Sequence, residues 1–356
     1  MRISRINNSI LCCPVCGNGL DPHELGRQEY ICQCGSVYCP QDGIPVMIPL
    51  NLDEEWVTKA KKDKTTLDIF FTERLQKHNE WWIPYNEYRE ILMHYDFQVW
   101  RRPVVDYIVA NHPDLTCILD AGGGHGWFLD KLLEKYPNAQ GHNVDLSSVV
   151  VANGLKCHKN KRIYGYAGSI THLPFVDESF DVILAIEVIE HLRDISGFIK
   201  SAYKKLKKGG SICVTTPNPE SFVMWFEVYG FERLKNIIRP FLGKQKIQLH
   251  KYGYLDDDKE GYEVFKSARE IASIMEKTGF TNVETHFNGV IGSLPFYFFE
   301  NKKIDIRIAR LFAYLAIPID RIISKINCLF LGKDTFICAQ KEKYNSENSL
   351  KRNTAS

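Results

Sequence analysis

Residues 119–126 read LDAGGGHG, an acid at the end of a short apolar run followed by glycines at 122, 124 and 126. The preceding TCILDA (116–121) has the length and content of a buried strand. The following GWFLDKLLEKY (126–136) places Phe128, Leu129, Leu132 and Leu133 on one helical face. The chain must therefore pass from strand to helix within a few residues. Missing side chains permit that turn and let a ligand approach the backbone at the carboxyl edge of a parallel sheet. The spacing is G-x-G-x-G, whereas dinucleotide sites use G-x-G-x-x-G. Asp120 directly before the glycines would repel a pyrophosphate and attract the ammonium of an amino-acid-bearing ligand. A purely structural glycine turn is the competing reading.

Short apolar runs alternating with amphipathic segments continue this pattern, the signature of a parallel sheet with helical crossovers. Strands are expected at Ala139–Val144, Ile163–Ala167, 180–186 (FDVILAI), 211–217 (SICVTTP), 281–287 and Thr335–Gln340. Helices are expected where Ile195, Phe198, Ile199, Ala202, Tyr203 and Leu206 form one stripe, stopped by Gly209 and Gly210. Another is expected where Ile271, Ile274 and Met275 form a second stripe, ended by Gly279. Asp145, at the end of the next strand, is placed to bind a ribose diol.

Six of the eleven cysteines, Cys12, Cys13, Cys16, Cys32, Cys34 and Cys39, fall in the first forty residues. That clustering suggests a metal clip rather than disulfides. Cys13 and Cys16 make a C-x-x-C pair and Cys32 and Cys34 a second pair, a closed thiolate set that suits structural zinc. Cys12 or Cys39 could take a ligand place, and a set of buried reduced thiols is the alternative. The net charge of +2, with 44% hydrophobic and 25% charged residues, gives no global field toward nucleic acid. Residues 1–10 carry no apolar signal region and no run reaches membrane-span length, so a cytoplasmic location, with room for peripheral membrane contact, is expected.

LDAGGGHG, the acid in NVDLS, AGSITHLPFVDESFDVILAIEVIEHL and LKKGGSICVTTPNP, in that order, closely resemble class I S-adenosylmethionine-dependent methyltransferases of the group that includes ubiquinone-biosynthesis-like enzymes. The likeness covers roughly Arg101 to Asn288 and the last strand. It implies a doubly wound α/β Rossmann-like domain with a seven-stranded, mostly parallel sheet. By the same resemblance Asp120, Gly122, Gly124 and Gly126 hold the methionine moiety. Asp145 holds the ribose, and Leu146, Ser169 and Ile170 face the adenine. Ser169 stands where the family usually has an acid. Glu187 would face the reactive end, and Glu187, His191 and His250 are the candidate bases, with Tyr252 and Tyr254 as substrate-orienting groups. For Glu190 and His191 a helix-start hydrogen-bonding pair is the competing reading, and for His250 a surface loop histidine. CGSVYCPQDGIPVMIP resembles the small zinc-ribbon module related to the activator of tRNA and release-factor methyltransferases, with Gly43, Ile44 and Pro45 matching its ending.

The expected organisation is a zinc-ribbon-like unit at 1–50, helices at 51–100 and a methyltransferase domain at 101–341, with insertions at 218–262 and 288–333 and a disordered tail at 342–356. In the 51–100 stretch Tyr85, Tyr88, Ile91, Leu92 and Tyr95 recur at helical spacing, and Trp81 and Trp82 could line a substrate mouth. The leading functional reading is O- or N-methylation of a small or lipid-linked acceptor. The aromatic insertion and the apolar, arginine-bearing stretch at 289–332 suit an apolar acceptor, a membrane surface or a homodimer contact. An RNA methyltransferase that uses the zinc unit to hold nucleic acid and a non-catalytic methyltransferase-like scaffold are the alternatives.

Overall fold

The computed structural model describes residues 10–20, 29–76, 97–98, 101–158, 160–225, 237–242, 249–250, 253–256, 261–262, 264–288 and 306–342. The helical stripe expected through Tyr85–Tyr95, with Trp81 and Trp82, lies outside the described residues, as do Tyr252 and the tail from 343.

Among the described residues the first two strands are a hairpin of β1 (Tyr30–Ile31) and β2 (Val37–Tyr38), followed by the long helix α1 (Glu55–Gln76). Helix α2 (Arg102–Asn111) leads into the alternating unit, which runs β3 (Cys117–Ala121), α3 (Trp127–Leu133), β4 (Gln140–Asp145), α4 (Ser148–Cys157), β5 (Ile163–Ala167), β6 (Phe180–Ile186), α5 (Ile195–Lys205) and β7 (Leu206–Pro217). A short helix α6 (Phe222–Trp225) and a small antiparallel sheet of β8 (Leu249–His250), β9 (Gly253–Asp256) and β10 (Gly261–Tyr262) lie within the first expected insertion. Then come α7 (Ala268–Thr278), β11 (Phe280–Asn288), α8 (Ile306–Ser324) and β12 (Asp334–Lys341).

Seven strands form one mixed sheet in the order β11-β12-β7-β6-β3-β4-β5, with β12 antiparallel to both neighbours and the rest parallel. The strand order reverses between β3 and β6. This is the switch point where open α/β sheets leave a crevice outside the strand tips. The glycine turn opens at that point.

Local chemistry sets the helix ends. Ser147 caps α4 by accepting from the Val150 amide, and Asp194 caps α5 by accepting from Gly197. Ser267 and Glu270 form a reciprocal capping box on α7, and Gly279 ends that helix at φ 108°. Helix α5 ends at Lys205, four residues before the glycines expected to stop it. Leu206 is already extended and pairs with Phe180, and Gly209, at φ 78°, supports a register shift before Val182 pairs with Ser211.

Each face of the sheet buries a helical layer. Val104, Val105 and Ile108 of α2 and Leu129, Leu132 and Leu133 of α3 pack on Ile118, Val182 and Leu184. On the opposite face Phe198, Ile199 and Ala202 of α5 and Ile271 and Met275 of α7 pack on Leu119, Ile183 and Ile212. Burying each of the Val, Leu, Ile, Phe and Met side chains among these contributes about 1.5–3 kcal/mol. Leu11, Cys13, Tyr38 and Met47 join this second layer through Tyr166 and Phe175, so the cysteine-bearing segment shares a core with the sheet.

Candidate active site

Strand β3 delivers Asp120 to its tip, buried to 1% exposure, with Oδ1 lacking a hydrogen-bond partner. Burial pushes its carboxyl up to about 7, against the opposing pull of the Arg101 guanidinium, and the Asp145 charge adds to the rise. A buried carboxylate with a bare oxygen beside a glycine turn is suited to a cation.

The turn itself is fixed by its neighbours. Gly122 adopts φ 78°, and a Cβ there would come within 2.5 Å of Val188, two residues past the end of β6. A Cβ at Gly124 (φ 53°) would meet nothing within 4 Å, so this backbone borders open space. Gly126, at φ 71°, begins α3. Asn143 Nδ2 donates to the Gly124 carbonyl at 2.8 Å from below.

Asp145, half-buried one strand away, accepts from the Gly124 amide through Oδ2 and from the Ser147 amide through Oδ1, both at 3.0 Å. Burial raises its carboxyl, the two amides pull it back, and the Asp68 charge raises it further. The Gly168 amide donates to the Asp145 carbonyl at 2.8 Å, which sets Ser169 and the buried Ile170 beside the β4 tip. Leu146 packs in the cluster formed by α1 and α4. Ser169 Oγ lies 2.9 Å from Thr171 Oγ1.

Glu187 occupies the β6 tip at φ 55°, a left-handed backbone that is strained for a residue with a side chain. Its Oε1 accepts from Thr215 Oγ1 at 2.6 Å and lies 3.7 Å from the Arg101 guanidinium. Glu190 is buried and accepts from Thr216 Oγ1 at 3.3 Å, whereas His191 is exposed. The backbone of His250 lies on β8, and its side chain and that of Tyr254 lie outside the described residues. Arg101, which sits between Asp120 and Glu187, had no local sequence signal.

In the cysteine segment Cys13, Cys16, Cys32 and Cys34 bring their sulfurs within 4.8 Å of one another, an arrangement that could hold a metal ion. Cys12 and Cys39 stay outside this group; the Cys12 thiol is buried and pushed up to about 11.

A family profile described as "Methyltransferase domain" matches residues 92–285. The chain belongs to this methyltransferase family. It is an S-adenosylmethionine-dependent methyltransferase, related to the quinone-pathway enzymes. It is 28% identical over 194 residues to the demethylmenaquinone methyltransferase of Roseiflexus castenholzii, covering 54% of this chain and 78% of the relative. To the ubiquinone/menaquinone biosynthesis C-methyltransferase of Dinoroseobacter shibae it is 26% identical over 195 residues, covering 52% and 74%. Among solved structures, Haemonchus contortus phosphoethanolamine N-methyltransferase 2 in complex with S-adenosyl-L-methionine aligns with a TM-score of 0.44 and 19% identity, over 71% of this chain and 57% of that one.

Proposed function

We propose that this methyltransferase acts on an apolar, quinol-like small molecule, with Asp120 and Asp145 holding opposite ends of the cofactor. The observation that carries the cofactor assignment is the pair of acids on adjacent strand tips, one with a bare buried oxygen and both bordering a glycine turn that faces open space. Asp120 would take the ammonium and Arg101 the carboxylate of the methionine moiety. Asp145 would take the ribose, and Leu146, Ser169 and Ile170 the adenine. When bound, S-adenosylmethionine supplies an electrophilic methyl group on a sulfonium. The protein then has to align an acceptor with it and keep water out.

Glu187 is the candidate base at this end, since Thr215 and Arg101 fix its carboxylate at the strand tip. His191 and His250 are the other candidates for proton removal. The quinol reading draws on the acceptors named for the relatives and on helix α8. There Ile308, Leu311, Leu315, Ile319 and Ile322 form one exposed apolar stripe, flanked by Arg307 and Arg321, and the turn after the helix adds exposed Lys325 and Ile326. Such a face suits the headgroup boundary of an anionic membrane, where an apolar acceptor is stored. No described helix is long and apolar enough to cross a membrane. Incubation with labelled S-adenosylmethionine and a naphthoquinol should put label in the quinol, and mass spectrometry distinguishes ring-carbon from oxygen methylation. Label only in added RNA would overturn the acceptor class.

We further read the four-cysteine group as a zinc-ribbon module with a structural ion. Tetrahedral zinc with bonds of about 2.3 Å requires sulfurs about 3.8 Å apart. Cys13 and Cys34 lie at 3.7 Å, and Cys16 and Cys32 at 3.6 Å. Tyr38 Oη lies 2.9 Å from the Cys13 sulfur and Ser36 Oγ 3.1 Å from that of Cys34, outer donors of the sort that support bound thiolates. The purified chain should carry one equivalent of zinc by plasma mass spectrometry, and Cys16→Ser with Cys32→Ser should carry about none. Zinc retained at one equivalent by the double variant would reject the ligand set.

A further inference from the structure

The segment expected to face the adenine, Gly168–Leu173, is held at both ends by the cysteine module. At its start, Ala167 donates to the Pro45 carbonyl at 2.8 Å and accepts from the Met47 amide at 2.6 Å, an added parallel rung outside edge strand β5. At its end, the Cys12 amide donates to the Pro174 carbonyl at 3.0 Å, and the Val176 amide donates to the Ile10 carbonyl at 2.8 Å. Cys12 adjoins the first thiol of the metal group. The Leu50 amide, just after the Met47 rung, donates to the Val37 carbonyl on β2, the strand of the hairpin whose loop carries Cys32 and Cys34.

Helix α1 extends the clamp. Trp56 stacks on His172, with ring centroids 4.1 Å apart and planes 10° from parallel. Asp68 accepts from Ser147 Oγ at 2.6 Å, so the turn after Asp145 is also tied to this helix. Lys64, paired with Asp68, donates to Ser148 Oγ at 3.1 Å. Both loops that would contact the adenosine moiety, one after β4 and one after β5, thus take their position from residues before the methyltransferase sheet begins.

We propose that the cysteine module and helix α1 are a working wall of the cofactor site, so that metal occupancy at Cys13, Cys16, Cys32 and Cys34 and cofactor affinity are thermodynamically linked, with Trp56 and Asp68 as the positioning residues. The linkage rests on the metal reading of the four thiols. Removing the ion frees the segments that fix Ala167 and Pro174, and the adenine loop then has to be ordered by the ligand itself. Reciprocity requires that cofactor binding stabilise the metal site by the same factor.

The test uses the full-length chain, with metal content measured first. Calorimetric titration with S-adenosylhomocysteine should show affinity about tenfold weaker in Trp56→Ala and Asp68→Ala at unchanged zinc content. Asp68→Asn, which keeps an oxygen for Ser147, should restore most of it. Saturating S-adenosylhomocysteine should tighten zinc affinity by about tenfold, read by equilibrium competition with a chromogenic chelator. A purified chain with no bound metal overturns the metal reading and the linkage with it. Full zinc content with wild-type affinity in Trp56→Ala and Asp68→Ala overturns the positioning role of those residues, and zinc affinity indifferent to S-adenosylhomocysteine overturns the linkage; neither result touches the metal reading.

Discussion

An Asp145→Ala chain is expected to bind S-adenosylhomocysteine at least about 100-fold more weakly than the native chain while keeping its helical and sheet content. The carboxylate accepts from the Gly124 amide and the Ser147 amide, and so ties the glycine turn of β3 to the loop after β4. Hydrogen bonds to a charged group contribute about 1.5–3 kcal/mol each, and the proposed ribose contacts add to these. Alanine removes all of them, whereas Asp145→Asn keeps one acceptor and should lose about tenfold. Calorimetry with far-UV circular dichroism as the folding control measures both variants. Native-like affinity in Asp145→Ala would reject the ribose assignment.

The second large effect concerns Asp120, whose folded carboxyl titrates at about 7 rather than near 3.8. Because the folded state holds this proton more tightly than the unfolded chain, the associated stability is full below about pH 4 and is lost as pH rises to about 7. The loss is about 4 kcal/mol at most, from the pKa difference. Asp120→Asn has no such titration. Without ligand it should therefore melt higher than the native chain at pH 8 and lose that advantage toward pH 4. The same variant should bind S-adenosylhomocysteine far more weakly, because the ammonium loses its anion. In the native chain an ammonium at Asp120 favours ionisation, so binding near pH 6 should release a proton, visible as a buffer-dependent binding heat. A melting difference independent of pH would argue against the raised carboxyl, and unchanged affinity against its contact with the cofactor.

The sheet was largely legible because its strands are covered on both faces, and parallel strands of this kind write themselves as uninterrupted apolar runs. The runs Ile163–Ala167 and Phe180–Ile186 coincide with β5 and β6. The glycine turn was legible for a different reason: its demand for open backbone is met within a few residues. What local pattern could not convey is contact across sequence. Arg101 reaches Glu187 only because α2 starts over the tip of β6, and Asp68 reaches Ser147 only because α1 lies along α4. Nor could spacing say that the cysteine segment would share its core with Tyr166 and Phe175, since docking of a small unit depends on a surface that exists only after folding. The four converging thiols were visible as two pairs, and the fold separates them from Cys12 and Cys39.

Strand β12 has a consequence for how the chain is made. It carries residues 334–341, yet it lies inside the sheet, bonded to β7 on one side and β11 on the other. While the polypeptide is still emerging from a ribosome, β7 presents an unpaired edge and β11 has no place to lie. An interrupted synthesis product ending before Asp334 would thus expose adhesive strand backbone and tend to aggregate. The sheet can close only once residues 334–341 have left the ribosome.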